Sequence, residues 1–136
     1  MSKNGLITKV SKLDFEQTTD KIEALLTEKG FHIFSIIDHA KSAQKHGRNL
    51  NPTTLFIFGN PKTGGTGLMQ ENQEIAIDLP AKILVWENQE KQTYITTNDF
   101  NWIASRHNLS NQNKDVIKKL RSGILAIIDE LSVFRK

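Results

Sequence analysis

The segment 59–67 has the residue types and spacing most similar to those of a phosphate-binding loop. Gly59 and Gly64 are spaced as in a P-loop, and a predicted strand precedes them. Gly65, however, stands where a P-loop has its phosphate-binding lysine, so nucleotide hydrolysis is not expected. Two interpretations remain open. Either successive backbone N–H groups and Lys62 hold an anion, or the glycines only provide the backbone freedom of a tight turn from strand to helix.

A second group that could do chemistry is the pair Asp38 and His39, which follows a predicted strand at its carboxyl end, where α/β folds place ligands. There His39 could act as a general base with Asp38 orienting its ring. The alternative is that Asp38 only caps a short helix. His107 shares a helical face with apolar residues, which is typical of a hydrogen-bonded core histidine. If His39 and His107 converged, they could bind a metal or act as acid and base, but their spacing predicts no metal site.

Other catalytic groups are restricted by composition. The chain has no cysteine, which excludes disulfides, thiolate metal sites and a thiol nucleophile. It also has no Gly-x-Ser-x-Gly segment that would place a serine nucleophile on a strand-to-helix turn. The sequence identifies no cofactor.

Alternating short strands and helices must position these groups. Two strands, 31–37 and 53–58, carry apolar residues on both faces, which is typical of central strands. Strands 82–87 and 92–97 have the pattern of an antiparallel hairpin. A further strand is predicted at 6–10, and helices are predicted at about 14–29, 39–46, 68–73, 98–107 (capped by Asn98) and 111–134, with 75–79 left unassigned.

The two central strands predict where a ligand would bind. Asp38 and Gly59 each follow one of them, so adjacent parallel strands would bring both segments to one rim of the sheet. We therefore predict a ligand-binding rim. Its members are Asp38, His39, Gly59, Asn60 and Lys62.

The predicted fold is of the α/β (α+β) class, a two-layer sandwich formed by one domain over residues 1–136. It contains a mixed sheet of four or five strands, helices packed on the sheet and a long C-terminal helix. That helix has apolar residues at alternating spacings of three and four, a seam suited to packing on the sheet or on a partner. The seam residues are Ile117, Leu120, Ile124, Ile127, Leu131 and Phe134.

Composition and charge exclude several classes of function. Apolar residues make up 38% of the chain and charged residues 24%, an ordinary balance for a globular domain. No apolar run approaches the roughly 18 residues that a membrane span needs, and segment 1–12 lacks the apolar core of a secretory signal. The net charge of +3 comes without the dense basic stripe of nucleic-acid-binding proteins. We therefore expect a cytoplasmic protein without nucleic-acid or membrane partners.

Several short phrases of the sequence recur together in one known family. They are Lys29-Gly30-Phe31, Ile37-Asp38-His39-Ala40, Pro52-Thr53-x-Leu55, Phe58-Gly59-Asn60-Pro61-Lys62, Leu68-Met69-Gln70, Asp78-Leu79-Pro80 and Leu84-Val85-Trp86-Glu87. In this order they resemble the bacterial domain-of-unknown-function family 302 over residues 15–107, and the C-terminal helix at 111–134 lies outside the similar region. The resemblance implies a small α/β fold, a dimeric assembly and no established activity. Among its recurrent motif residues are Met69, Asp78 and Pro80. One extra residue between Thr63 and Gly67 departs from the family pattern.

Three hypotheses follow. The leading one is a homodimeric module that binds a small polar or anionic ligand at the rim of Asp38, His39 and the turn at 59–62. The first alternative is an enzyme in which His39 is the general base, Asp38 orients it and the amides of the glycine turn stabilise an anion. The second is a protein interaction module that uses the C-terminal helix as its partner surface.

Overall fold

Helices and strands alternate along the chain and form one open sheet with helices packed against it. The structure, a computed structural model, describes residues 4–60, 62 and 64–133. Pro61 and Thr63 of the glycine-rich segment and Phe134 of the predicted seam lie outside the described residues. The strands are β1 (Leu6–Val10), β2 (His32–Asp38), β3 (Thr53–Gly59), β4 (Ala81–Glu87) and β5 (Thr93–Asn98). The helices are α1 (Phe15–Glu28), α2 (His39–Lys45), α3 (Thr66–Glu71), α4 (Phe100–Arg106) and α5 (Asn111–Leu131), with a 3₁₀ helix at Gln73–Asp78.

The five strands lie in the order β1-β5-β4-β3-β2. The predicted α/β class, the packed helices and the long C-terminal helix are confirmed, and the sheet has five strands where four or five were predicted. The predicted mixture of strand directions is wrong, because all four neighbouring pairs among the described strands are antiparallel. The connection from β2 to β3 shows why. Helix α2 has seven residues, about 10 Å of helix, which is too short to carry the chain back along β2 and start a parallel strand.

Strand β2 is an edge strand, contrary to the prediction from its apolar residues on both faces. Its pairing with β3 shifts register between Ile33 and Ser35, and the intervening Phe34 is 57% exposed. The Phe34 ring packs edge-on against His32, with their centroids 4.9 Å apart. Among the described residues no second layer covers the other apolar face of β2, and Phe34 lies beside Gly59 at the end of the sheet.

The core lies between one face of the sheet and the helices α1, α4 and α5. Alternate residues of β3, β4 and β5 are buried, as the strand period of two requires. The seam of α5 is buried in the same core, so its apolar residues pack within this chain, one of the two predicted uses. Leu120 is the exception, because it is only partly buried. The buried members are Phe56, Phe58, Ile83, Val85 and Ile95 from the sheet, Ile22 and Leu26 from α1, Ile103 from α4, and Ile117, Ile124, Ile127, Ile128 and Leu131 from α5.

Side-chain caps fix where the helices begin. Asp14 accepts a hydrogen bond from the backbone N–H of Gln17 at the start of α1, as expected of an N-cap. Ser110 caps α5 in the same way. The cap of α4 is Asp99 and not the predicted Asn98, since Asn98 is still paired with Leu6 in the sheet.

Candidate functional site

The predicted rim does not form. Gly59 pairs with His32, whereas Asp38 pairs with Thr54. Asp38 and Gly59 therefore lie at opposite ends of the β2–β3 pair, separated by about 20 Å at 3.3 Å per residue. The prediction that the two segments share one rim is wrong because the strands are adjacent but antiparallel.

At one end of that strand pair, Asp38 serves as a helix cap. Its carboxylate accepts a hydrogen bond from the backbone N–H of Lys41 at 2.9 Å, and His39 is the exposed first residue of α2. No residue of α2 is buried. An open groove of about 560 Å³ runs between α2, the loop at 48–52 and Phe15. His39 is not among the described residues that line this groove, so the arrangement fits the capping alternative.

At the other end, the glycine-rich turn forms one wall of a cavity with two adjoining parts, which we call the turn cavity. The inner chamber has a volume of about 250 Å³ and lies between the turn, α3, the segment 79–81 and α5. The outer chamber has a volume of about 400 Å³ and lies between α5 and the segment that joins α1 to β2. Asn60, Val116 and Leu120 line both chambers, which therefore adjoin each other; we call these three residues the common wall.

The lining of the two chambers differs in chemistry. The inner chamber is mainly apolar, with Asn60, Thr66 and the backbone of three glycines as its polar part; its apolar side chains are Phe34, Leu68, Met69, Leu79, Pro80, Ala81, Val116 and Leu120. The outer chamber adds two lysines, Lys29 and Lys119, beside Phe31 and Gly123. None of the described residues that line either chamber is acidic.

Glycines create the space in both chambers. A Cβ atom at Gly64 would lie 2.5 Å from the carbonyl oxygen of Asn60, which excludes any side chain there. A Cβ atom at Gly65 would lie 2.6 Å from the Leu79 side chain. Gly123 leaves the outer chamber open beside the Phe31 ring. These close approaches agree with the interpretation of segment 59–67 as a tight turn.

Lys62 does not extend the site. Its backbone N–H donates to the Asn60 side-chain oxygen at 2.9 Å, within the turn itself. The residue is exposed and is not among the described residues that line the turn cavity. Of the five predicted rim residues, the structure brings Gly59 and Asn60 to the turn cavity and leaves Asp38, His39 and Lys62 outside its described lining.

Polar contacts fix Asp78, which directly precedes the wall residues Leu79 and Pro80, to the end of α4. His107, at the end of α4, lies with Nε2 2.6 Å from the Oδ2 atom of Asp78, and Arg106 donates to both oxygens of Asp78 at 3.2 Å. The Asn72 amide donates to the His107 carbonyl oxygen at 3.4 Å. His107 is thus a buried, hydrogen-bonded histidine, as one of its two interpretations predicted, and no described contact joins it to His39.

The carboxylate of Glu71 accepts three further hydrogen bonds. We call the contacts at Asp78 and those at Glu71 the two clamps. The bonds to Glu71 come from the backbone N–H of Ser110 at 2.8 Å, from the Ser110 hydroxyl at 2.9 Å and from the Asn113 amide. The hydrogen bond from Asn113 is the largest effect and lowers the pKa of Glu71. Desolvation acts in the opposite direction, and the two bonds from Ser110 lower the pKa further. The clamp at Glu71 thus fixes the end of α3 to the start of α5, and the clamp at Asp78 fixes the segment before the wall residues Leu79 and Pro80 to the end of α4.

Most residues of this site could not be identified from the sequence. Lys29, Phe34, Lys119 and Gly123 had no assigned role, and Leu120 was placed in the seam. One signal was present, because Gly123 interrupts an otherwise strong helix on the same helical stripe as Val116, Lys119 and Leu120. The family motif was a second signal, since Met69 and Pro80 line the inner chamber and Asp78 bonds to His107. Among the described residues, no group of three His, Cys, Asp or Glu side chains could hold a metal ion.

Curated relatives with similar sequences are named as ion channels. The chain is 37% identical over 120 residues to a protein named fluoride-specific ion channel FluC 1 of Brucella suis biovar 1 (strain 1330), covering 88% of this chain and 47% of the relative. It is equally similar to one named FluC 2 of Brucella melitensis biotype 1, 44% of which it covers. The chain therefore spans less than half the length of these relatives.

No helix within the described residues has both the length and the apolar composition needed to cross a membrane.

A solved structure has the same fold. It is the crystal structure of an uncharacterized conserved protein DUF302 from Bacillus stearothermophilus, which superposes with a TM-score of 0.81 over 93% of this chain and 98% of that one. The two sequences are 18% identical, so this likeness concerns the fold alone. The profile of the family described as domain of unknown function DUF302 matches residues 7–127. This match covers most of the chain and includes the turn, the clamps and the cavity, and the chain belongs to the DUF302 family.

Proposed function

We propose that this chain is a binding domain for a small molecule and that the ligand occupies the turn cavity. The observation that carries the proposal is the pair of adjoining chambers with a common wall of Asn60, Val116 and Leu120. Ligand sites in proteins are typically concave, mainly apolar and supplied with a few polar groups. The turn cavity has this composition, and the clamps at Glu71 and Asp78 preform it.

The chemistry of the lining favours binding over catalysis. The described lining residues include no histidine and no carboxylate that could transfer a proton as general base or acid. Two described histidines lie next to lining residues without lining the cavity themselves. His107 has a side chain that is 5% exposed and is bonded to Asp78, and the ring of His32 packs against Phe34. The enzyme hypothesis based on His39 lacks support as well, because Asp38 is a cap and the glycine turn lies at the far end of β2.

The predicted homodimer and the cytoplasmic location remain predictions. The seam of α5 does not support a partner surface, because its described apolar residues, Leu120 apart, are buried in the core of this chain. A homodimer would need another surface, such as the uncovered face of the sheet. Light scattering coupled to size-exclusion chromatography measures the mass in solution and tests the dimer directly.

Binding in the turn cavity can be tested with the fluorescent probe 1-anilinonaphthalene-8-sulfonate. We expect Leu120→Ser to weaken its binding several-fold, because Leu120 lines both chambers. The control is Ile77→Ser, which removes an apolar side chain that is 71% exposed and lies outside the cavity. Circular dichroism checks that both variants are folded. Equal binding by the wild type and the Leu120→Ser variant would contradict the proposed site.

We propose, as a second candidate function, that the domain regulates a membrane channel. The similarity to nearly half of the two Brucella proteins named as fluoride-specific channels supports this. The test is fluoride efflux from liposomes that contain the Brucella suis relative, either complete or lacking the part that matches this chain. A regulatory domain predicts a changed efflux rate, and identical rates would contradict the proposal.

A further inference from the structure

We infer that the ligand of the turn cavity is an amphipathic anion, with its apolar part in the inner chamber and its anionic group between Lys29 and Lys119. This inference rests on the proposed function, since it names the chemical class of ligand for the same site. It goes further by assigning separate roles to the two chambers.

The inner chamber fits an apolar group. Leu68 is buried, while Phe34, Met69 and Leu120 are partly or fully exposed around it. Water in contact with these side chains is displaced when an apolar group enters, which is favourable in proportion to the apolar area removed from water. Each CH₂ group buried in this way raises affinity about fourfold. The affinity for a homologous series of ligands should therefore rise with chain length until the chamber is full.

The outer chamber fits an anionic group. Lys29 follows the last residue of α1, and Lys119 stands on the facing helix α5. Both side chains are exposed, so their stems can lie along the apolar wall while the ammonium groups remain in water. Since no described lining residue is acidic, an anion would meet two positive charges without an opposing carboxylate in the wall.

The end of α1 opposes the binding of an anion, because the C-terminus of a helix carries a partial negative charge. Much of this charge is neutralised locally. The backbone N–H groups of Lys29, Gly30 and Phe31 donate to carbonyl oxygens of the last turn, those of Leu25, Thr27 and Leu26 respectively. The full charge of Lys29 stands at the same place, so the net effect there favours an anion.

One molecule can reach both chambers because the chambers adjoin along the same three residues. Val116, Leu120 and Asn60 line each of them, and Val116, Lys119, Leu120 and Gly123 follow the spacing of one helical face. A ligand that lies along this face of α5 would place its apolar part over Val116 and Leu120 and its charged end beside Lys119.

Three probes with the same eight-carbon chain separate the roles of the chambers: octanoate, octanol and octylamine. Isothermal titration calorimetry is performed with each below its aggregation concentration. We expect octanoate to bind about three- to tenfold more tightly than octanol, as exposed charge pairs allow, and octylamine to bind most weakly. Raising the salt concentration should reduce the advantage of octanoate.

A charge reversal on α5 provides the matched control. Lys119→Glu should remove the preference for octanoate and leave octanol binding unchanged. Lys118→Glu makes the same change on an adjacent exposed residue that does not line the cavity, and should keep the preference. If all three probes bind equally to the wild type, or if Lys118→Glu has the same effect as Lys119→Glu, the inference is overturned while the proposed function stands. If none of the probes binds, the proposed function itself fails.

Discussion

The Nε2 atom of His107 lies 2.6 Å from the Oδ2 atom of Asp78, and this contact joins the end of α4 to the last residue of the 3₁₀ helix. Leu79 and Pro80, which follow Asp78 directly, line the inner chamber. The histidine that resembled a catalytic group in the sequence therefore has a positioning role. It fixes the segment that leads into this wall to the end of α4, and α4 packs against the wall helix α5.

Removing this contact should destabilise the fold. We expect Asp78→Ala to lower the free energy of unfolding by about 1–3 kcal/mol, because His107 would then be a buried polar group without its partner. Arg106→Gln should cost less than about 1 kcal/mol, since the Arg106 side chain is 49% exposed. Urea denaturation of the two variants measures both values. If both variants lost the same unfolding free energy, the buried contact with His107 would add nothing to the exposed contact with Arg106, and the positioning role of His107 would be contradicted.

Acid should weaken the clamp at Glu71. The hydrogen bonds from Asn113 and Ser110 lower the pKa of Glu71 in the folded protein, so the ionised form stabilises the fold. That contribution is complete above the pKa of Glu in the unfolded chain. This stabilisation declines as the pH falls from the pKa of Glu71 in the unfolded chain to its lower pKa in the folded protein. It is absent below the pKa of the folded protein.

The pH dependence of the clamp is tested by comparing the wild type with Glu71→Gln across a pH series of urea denaturations. The difference in unfolding free energy should be constant near neutral pH and shrink in acid. Glu74→Gln, an exposed carboxylate on the same segment, is the control and should show a smaller change with pH. If the difference in unfolding free energy between the wild type and Glu71→Gln grew as the pH fell, stabilisation by the ionised Glu71 would be contradicted.

Two glycines should respond in opposite ways to alanine. Gly123→Ala should stabilise the protein by about 0.5–1 kcal/mol, because glycine is unfavourable inside a helix and the new Cβ atom would lie at an ordinary 3.5 Å from the Phe31 ring. Gly64→Ala should destabilise the turn, since its Cβ atom would lie 2.5 Å from the Asn60 carbonyl oxygen. Thermal denaturation measures both. Stabilisation by Gly64→Ala would contradict the described turn.

Asp38→Ala should affect α2 and not the site. The loss of an N-cap costs about 1 kcal/mol, and the cavity lies at the far end of β2 from Asp38. Binding of 1-anilinonaphthalene-8-sulfonate should therefore stay the same in the Asp38→Ala and His39→Ala variants. Loss of binding in either variant, with the fold intact, would support the shared rim predicted from the sequence.

Local features of this fold could be predicted from the sequence because they depend on nearby residues. The strand pattern of β4 and β5 is found as expected, and the seam of α5 packs within this chain, one of its two predicted uses. Strand direction could not be predicted in this way, since a strand's apolar pattern is the same whether its neighbour is parallel or antiparallel. The edge position of β2 was hidden for a similar reason: Phe34 and Ile36 are apolar, yet they are 57% and 44% exposed.

Only a small part of the candidate site could be predicted from the sequence. Gly59 and Asn60 were identified because a glycine-rich segment after a strand is visible locally. Lys29 and Lys119 were not, because only the packing of α5 against the end of α1 brings them to one chamber. The contact between Asp78 and His107 likewise joins residues far apart in sequence, and no local spacing indicates it.

The most direct test of a ligand site in the turn cavity is a titration of the ¹⁵N-labelled protein with octanoate, followed by the backbone amide signals. We predict that the signals of Asn60, Gly64, Val116, Leu120 and Gly123 shift together and saturate, while those of His39 and Lys41 stay unchanged. Shifts confined to α2, or no saturable shifts at all, would contradict the account.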